Sequence, residues 1–270
     1  MTKLKFHVHF KPLATALFAT SLLGCGGVAP TPAPVFPNVT GNWQFEVGNP
    51  GSGLPVVFGS PIADLSGSLS STGGKVTGIL TSLSLSVTPC ISSNTDIQVS
   101  GTIDSAGNLS LTGPIAGGVV TITALVTTNP IPFYTGTYQV IGGPCAQASV
   151  SLASIEVPNA SGTYAGTLTE TIPQGTGSLA VVATLVESTT PNADGKYPLS
   201  GSITYSGDCT GTFSFNNYLV FGVNVQGTPT FNGPIFSGAV PLAPIKPFQV
   251  FLSNLVGCAG VPYEGNLTLQ

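Results

Sequence analysis

From Asn38 onward, apolar and hydroxyl-bearing side chains take turns along the chain. Leu83-Ser84-Leu85-Ser86-Val87, Val119-Val120-Thr121-Ile122-Thr123-Ala124-Leu125-Val126 and Ser200-Gly201-Ser202-Ile203-Thr204-Tyr205 show the pattern. So do Thr212-Phe213-Ser214-Phe215 and Asn266-Leu267-Thr268-Leu269. Residues two apart share one face of a strand, so the apolar set can meet a core while the Ser/Thr set meets water. Breakers punctuate the runs at short intervals: Gly73-Gly74, Asp104-Ser105-Ala106-Gly107-Asn108 and Pro191-Asn192-Ala193-Asp194-Gly195. Each is a hairpin signal. No window of the body longer than ten residues keeps a helical period. Short strands at regular spacing predict an all-β fold of antiparallel meander barrels or sandwiches.

The pattern also repeats. Asn38-Val39-Thr40-Gly41-Asn42-Trp43 recurs 121 residues later as Asn159-Ala160-Ser161-Gly162-Thr163-Tyr164. Cys90 and Cys209 follow, 119 apart, and Cys145 and Cys258 close the series, 113 apart. Between them, Tyr134-Thr135-Gly136 has a looser counterpart in Phe236-Ser237-Gly238. Marker order is kept while loop lengths drift. This predicts two tandem β-domains, 38–158 and 159–270, with about eight strands each. The four cysteines admit three pairings. The repeat favours Cys90–Cys145 and Cys209–Cys258, one bridge in each half, whereas a crossed pairing would mean a single intertwined domain.

Ahead of the body, Met1 to Lys11 carries Lys3, Lys5 and Lys11, and Leu13 to Leu23 is an apolar run of eleven residues. That is shorter than the roughly 20 residues of a bilayer span and has the length of a signal-peptide core. The run ends in Leu22-Leu23-Gly24-Cys25. These four residues resemble the lipobox of bacterial lipoprotein precursors, an aliphatic residue, a tolerant position, a small residue and Cys. The resemblance covers the first twenty-five residues. It implies a signal peptide over 1–24, lipid on the Cys25 sulfur, cleavage before Cys25 and acylation, palmitate in type, of the new amino terminus. Gly26 follows the cysteine, and by the family's enteric sorting rule that implies the outer membrane. Each buried CH₂ contributes about 0.8 kcal/mol, so two or three chains hold a protein to the membrane essentially permanently. Gly26 to Pro37, with prolines at 30, 32, 34 and 37, reads as an extended tether. At about 3.1 Å per residue it would reach roughly 35 Å.

Composition narrows the chemistry. Only 6% of the 270 residues are charged, against about 25% in an ordinary soluble chain. There is no Arg, and both histidines, His7 and His9, fall in the leader. Without the leader the body keeps Lys75, Lys196 and Lys246 against ten carboxylates, a net charge of −7. Such a body has no Ser-His or Cys-His machinery, no imidazole metal site and no bidentate phosphate clamp. Without a basic patch a nucleic-acid partner is not expected. Its cysteines suit an oxidising compartment such as the bacterial cell envelope.

Few residues are left to carry a site. Gly41-Asn42-Trp43 opens the first expected strand and is similar to the Gly-x-Trp opening of lipocalins, whose ring closes one end of an eight-stranded barrel; the arginine packed on that ring is missing here. Trp43, the only tryptophan, and Tyr164 at the matching position are therefore read as barrel plugs or ligand-stacking rings. No Gly-x-Ser-x-Gly is present, and Thr72-Gly73-Gly74-Lys75, although spaced as a hydroxyl–lysine pair, reads as a hairpin turn. Glu170 and Glu187 lie on two strands of one hairpin, at opposite ends, and should not meet. Asp104, Asn108 and Asp194 have turn chemistry rather than calcium spacing, and Asp208 adjoins Cys209. Tyr218-Leu219-Val220-Phe221 and Phe248-Gln249-Val250-Phe251-Leu252, with Phe231, Phe236 and Tyr263, make the second half aromatic: a core, an apolar cavity or a docking face. A membrane-spanning barrel is disfavoured, because the strands are short and hydroxyl-lined. The expectation is a non-catalytic, cofactor-free, metal-free envelope lipoprotein with a structural or surface-binding role toward a protein or polysaccharide. The alternative is a lipocalin-like carrier of a small apolar ligand.

Overall fold

Alternation becomes strand in both halves. The computed structural model describes residues 33–48, 63–83, 91–126, 133–171, 176–227, 233–240, 247–258 and 260–270. The leader, Cys25, tether residues 26–32, Cys90, Phe231 and all but the first residue of the run at 83–87 lie outside the described residues. Residues 35–270 form one compact unit.

The first half holds β1 (Gly41–Val47), β2 (Ala63–Thr72), β3 (Lys75–Ser82), β4 (Asp96–Ile103), β5 (Asn108–Ile115), β6 (Gly118–Leu125), β7 (Phe133–Ile141) and β8 (Gln147–Val157). The second holds β9 (Gly162–Glu170), β10 (Ser178–Glu187), β11 (Tyr197–Gly207), β12 (Gly211–Phe221), β13 (Asn224–Gly227), β14 (Ile235–Ala239), β15 (Phe248–Ser253) and β16 (Tyr263–Leu269). Each set is an antiparallel meander in which the last strand pairs with the first, so both are closed eight-stranded barrels. Among the described residues no helix is long and apolar enough to cross a membrane.

Eight strands enclose a space about wide enough for side chains to fill. In the first barrel Trp43 is fully buried, 5.8 Å from Phe45 and 5.5 Å from Tyr134 between ring centroids. In the second, Phe215, Tyr218, Phe236, Phe248 and Tyr164 form a chain of contacting rings with spacings of 4.7 to 6.0 Å. The aromatic surplus of the second half is thus mainly core. On the wet faces, hydroxyls pair across strands, as Thr123 with Thr137 at 2.8 Å and Thr204 with Thr212 at 3.0 Å. Gly73 and Gly74, with φ of +58° and +79°, turn the β2–β3 hairpin, as a two-residue turn with left-handed centres requires.

Two details depart from the sequence reading. Tyr134-Thr135-Gly136 falls on the seventh strand of its barrel, but Phe236-Ser237-Gly238 falls on the sixth, so these two segments are not equivalent. The match came from a shared aromatic–hydroxyl–Gly composition that many strands of this chain carry. Phe36, placed by its prolines in the tether, is half-buried and packs against the first core beside the Gly73-Gly74 turn. An aromatic ring next to an apolar barrel end is more stable covered than extended in water.

Cys209 and Cys258 are disulfide-bonded, joining the β11–β12 and β15–β16 connections with Cα atoms 5.3 Å apart. Cys145 in the β7–β8 turn is also disulfide-bonded.

Candidate functional site: the cleft between the barrels

Strand β1 buries both of its faces. Trp43, Phe45 and Val47 point into the first barrel, while Asn42, Gln44 and Glu46 are buried on the outside. Ser66 and Ser68 of β2 are buried on that outer wall as well. What covers this wall is one end of the second barrel. Asn42 donates through Nδ2 to the Gly222 carbonyl at 2.9 Å, and the Gly222 N–H donates back to Asn42 Oδ1 at 2.7 Å. Gln44 Oε1 accepts from the Val223 N–H at 3.2 Å and from Ser66 Oγ at 2.7 Å. Gly222 has φ +54°, and a Cβ there would collide with Gln44 and Ser66. Only glycine fits that contact.

Nearby, Lys196 pairs with Asp96 at 3.6 Å and lies 5.2 Å from the centre of the Phe221 ring. The outer face of β8 completes the contact, since Ile155 and Val157 belong to the hydrophobic cluster of the second barrel.

Beside this clasp lies a cleft of about 590 Å³, lined among others by Ser68, Thr77, Glu156, Glu187, Thr190 and Tyr197. Small-molecule clefts commonly fall in this size range. Glu187 ends β10 and is 5% exposed. Its Oε2 accepts the Ala160 N–H at 2.5 Å, and its backbone N–H donates to Ser161 Oγ at 2.9 Å. Burial pushes the carboxyl up to about 7, opposed by the Ala160 hydrogen bond. Tyr197, which opens β11, is 6% exposed. Burial, with the carboxylates of Glu187 and Glu156 close by, pushes its phenol up to about 12. The Glu156 carboxylate lies against Gly41 at the start of β1.

Trp43 and Tyr164 occupy equivalent places. The Trp43 indole N–H donates to the Val39 carbonyl at 2.9 Å, and the Tyr164 hydroxyl donates to the Ala160 carbonyl at 3.1 Å. Each ring thus holds the turn four residues before it. The turns match too: Asn38 Oδ1 accepts from Thr40 N–H and Asn159 Oδ1 from Ser161 N–H.

Glu170 and Glu187 sit at opposite ends of the β9–β10 hairpin and stay apart. Glu170 instead accepts the Gly177 N–H at 3.3 Å, and Asp208 approaches the same glycine. Asp104 is held within its own turn by the Ala106 and Asn108 N–H groups and the Asn108 amide, and the Asn108 bonds foremost hold its carboxyl below the usual range. In the β10–β11 turn, Asn192 Oδ1 accepts from the Asp194 and Lys196 N–H groups. Lys75 is exposed at its hairpin. Among the described residues no three His, Cys, Asp or Glu side chains are grouped to hold a metal ion.

Sequence reasoning did not single out Ser68, Glu156 or Tyr197, and it considered Glu187 only with Glu170. One signal was present. At the end of the second strand the first barrel uses the hydroxyl of Ser71 to accept the Val39 N–H at 3.1 Å, where the second barrel uses the Glu187 carboxylate. That departure within the repeat marks the cleft.

Fold and cleft together define a class: two closed eight-stranded antiparallel meanders in tandem, the end of one seated on the wall of the other around a shared cleft. No protein-family model, curated protein or solved structure matches the chain.

Proposed function

We propose that this protein is a lipid-anchored bacterial envelope protein that acts by binding at the membrane surface, without catalysis, with Cys25 as its anchor and the inter-barrel cleft as its contact site. The carrying observation is the cleft itself, a concavity of about 590 Å³ flanked by an interlocked pair of barrels. The lipobox and the proline-rich tether support the anchor, and a body without His or Arg supports binding over turnover. The repeat supports Cys90 as the partner of Cys145.

In an envelope-bearing bacterial host, the full chain should incorporate labelled palmitate and partition with the outer membrane, and Cys25→Ser should lose both. Retention of label by Cys25→Ser would overturn the anchor. Turnover of an ester or polysaccharide panel by the purified protein would overturn the binding role.

The closed eight-stranded meanders and the buried Trp43 support a second reading, a lipocalin-like carrier of a small apolar ligand. The rings packed on the inner faces would have to move aside for such a ligand. Native mass spectrometry separates the two, because a carrier retains co-purified lipid.

A further inference from the structure

Polar atoms at the junction fall into two groups. Asn42, Gln44 and Ser66 are spent on the clasp, each bonded across or along the interface. Ser68, Glu187 and Tyr197 are different. They are 7%, 5% and 6% exposed, and all three line the same cleft. Neither the Ser68 hydroxyl nor the Tyr197 hydroxyl hydrogen-bonds to any described residue, and Glu187 uses only one of its carboxylate oxygens. Glu187 and Tyr197 lie across the β10–β11 hairpin of one barrel and Ser68 on β2 of the other, so Ser68 joins them only because the barrels dock.

Although the residues are largely covered, these free oxygens are not sealed from the cleft, so each is open to bond whatever enters it. Two hydroxyls that can donate or accept and a carboxylate oxygen that can accept suit a ligand rich in hydroxyl groups. Among the described lining residues there is no lysine to pair with an anionic ligand, and two are glutamates. Thr77 and Thr190 add further hydroxyls at the rim, and Pro158 and Pro191 add the short apolar surface that the C–H face of a sugar ring meets. Resting on the binding role above, we infer that the inter-barrel cleft is a binding site for a neutral carbohydrate, with Ser68, Glu187 and Tyr197 as the residues that hydrogen-bond its hydroxyls.

Saturation-transfer NMR on the full chain in detergent tests this with four probes: maltotetraose and laminaritetraose as neutral oligosaccharides, a galacturonate tetrasaccharide as the anionic one and a chitosan tetrasaccharide as the cationic one. At least one neutral probe should bind, and the anionic one should not. Because the Tyr197 hydroxyl bonds no atom of the described residues, Tyr197→Phe should leave the Tm unchanged while weakening the neutral probe about tenfold, as the loss of one hydrogen bond to a ligand would. Ser68→Ala should act in the same direction. Binding of no neutral probe at millimolar concentration, binding of only the cationic one, or binding unaffected by both variants would each overturn the assignment. Membrane partitioning through Cys25 reports separately on the envelope role, so loss of sugar binding with partitioning intact sinks this inference alone.

Discussion

At position 187 the second barrel carries a carboxylate where the first has the hydroxyl of Ser71, and both accept the N–H of the residue that the plug ring anchors. The exchange gives one barrel end a titration that the other lacks. Folding raises the Glu187 carboxyl from its ordinary 4.5 to about 7, so between those values the folded chain holds a proton that the unfolded chain has released. Stability therefore falls as pH rises through that window and levels off above it, by about 3 kcal/mol in total. Glu187→Gln keeps an acceptor for Ala160 and should flatten that slope relative to the natural protein, measured as denaturant midpoints from pH 4.5 to 8. An equal slope in both proteins would mean that Glu187 titrates as an exposed carboxyl. Little of this was legible in the sequence. Glu187 sits at an ordinary strand end, and although Tyr197 lies across its own β10–β11 hairpin, Glu156 comes from the other barrel.

Among the elements, the strands were the most legible part, because inward and outward positions differ in residue type almost everywhere. Alternation in β10 runs from Ser178 to Glu187 with every second residue buried. It misleads on β1 and β2, where Asn42, Gln44, Ser66 and Ser68 have wet-face composition but are buried against the other barrel. A polar residue facing a partner and one facing water look alike in a single sequence. Cysteine order was legible as well, and Cys209–Cys258 ties the connections before the fourth and eighth strands of its barrel. With the two 49 positions apart in sequence, replacing both by serine should cost about 4 kcal/mol by loop-entropy reasoning. The denaturant midpoint reads that loss, and an unchanged midpoint would show that the strand ladder alone fixes the connections.

For the molecule as a whole, the clasp decides whether two barrels behave as one body. The reciprocal Asn42–Gly222 bonds are buried, and removing the side chain leaves both backbone groups of Gly222 unpaired, at about 1–3 kcal/mol each. Gly222→Ala adds left-handed strain and a collision with Gln44. In calorimetry the natural protein should unfold in a single transition, and either Asn42→Ala or Gly222→Ala should split it into two. Two transitions in the natural protein would show that the clasp does not couple the barrels. Tandem halves were visible in the repeat, but their docking was not, since it depends on which outward residues of one copy meet the turns of the other.

Closure of both meanders has a consequence for a chain so poor in charge. Open sheets leave a strand whose N–H and C=O groups can recruit another chain, and proteins usually protect such edges with lysines, prolines or bulges. Here each first strand is hydrogen-bonded to the last of its barrel, so among the described strands neither barrel has an end strand left unpaired. The body can therefore do with three lysines, because ring closure rather than charged gatekeepers guards it against strand-to-strand aggregation.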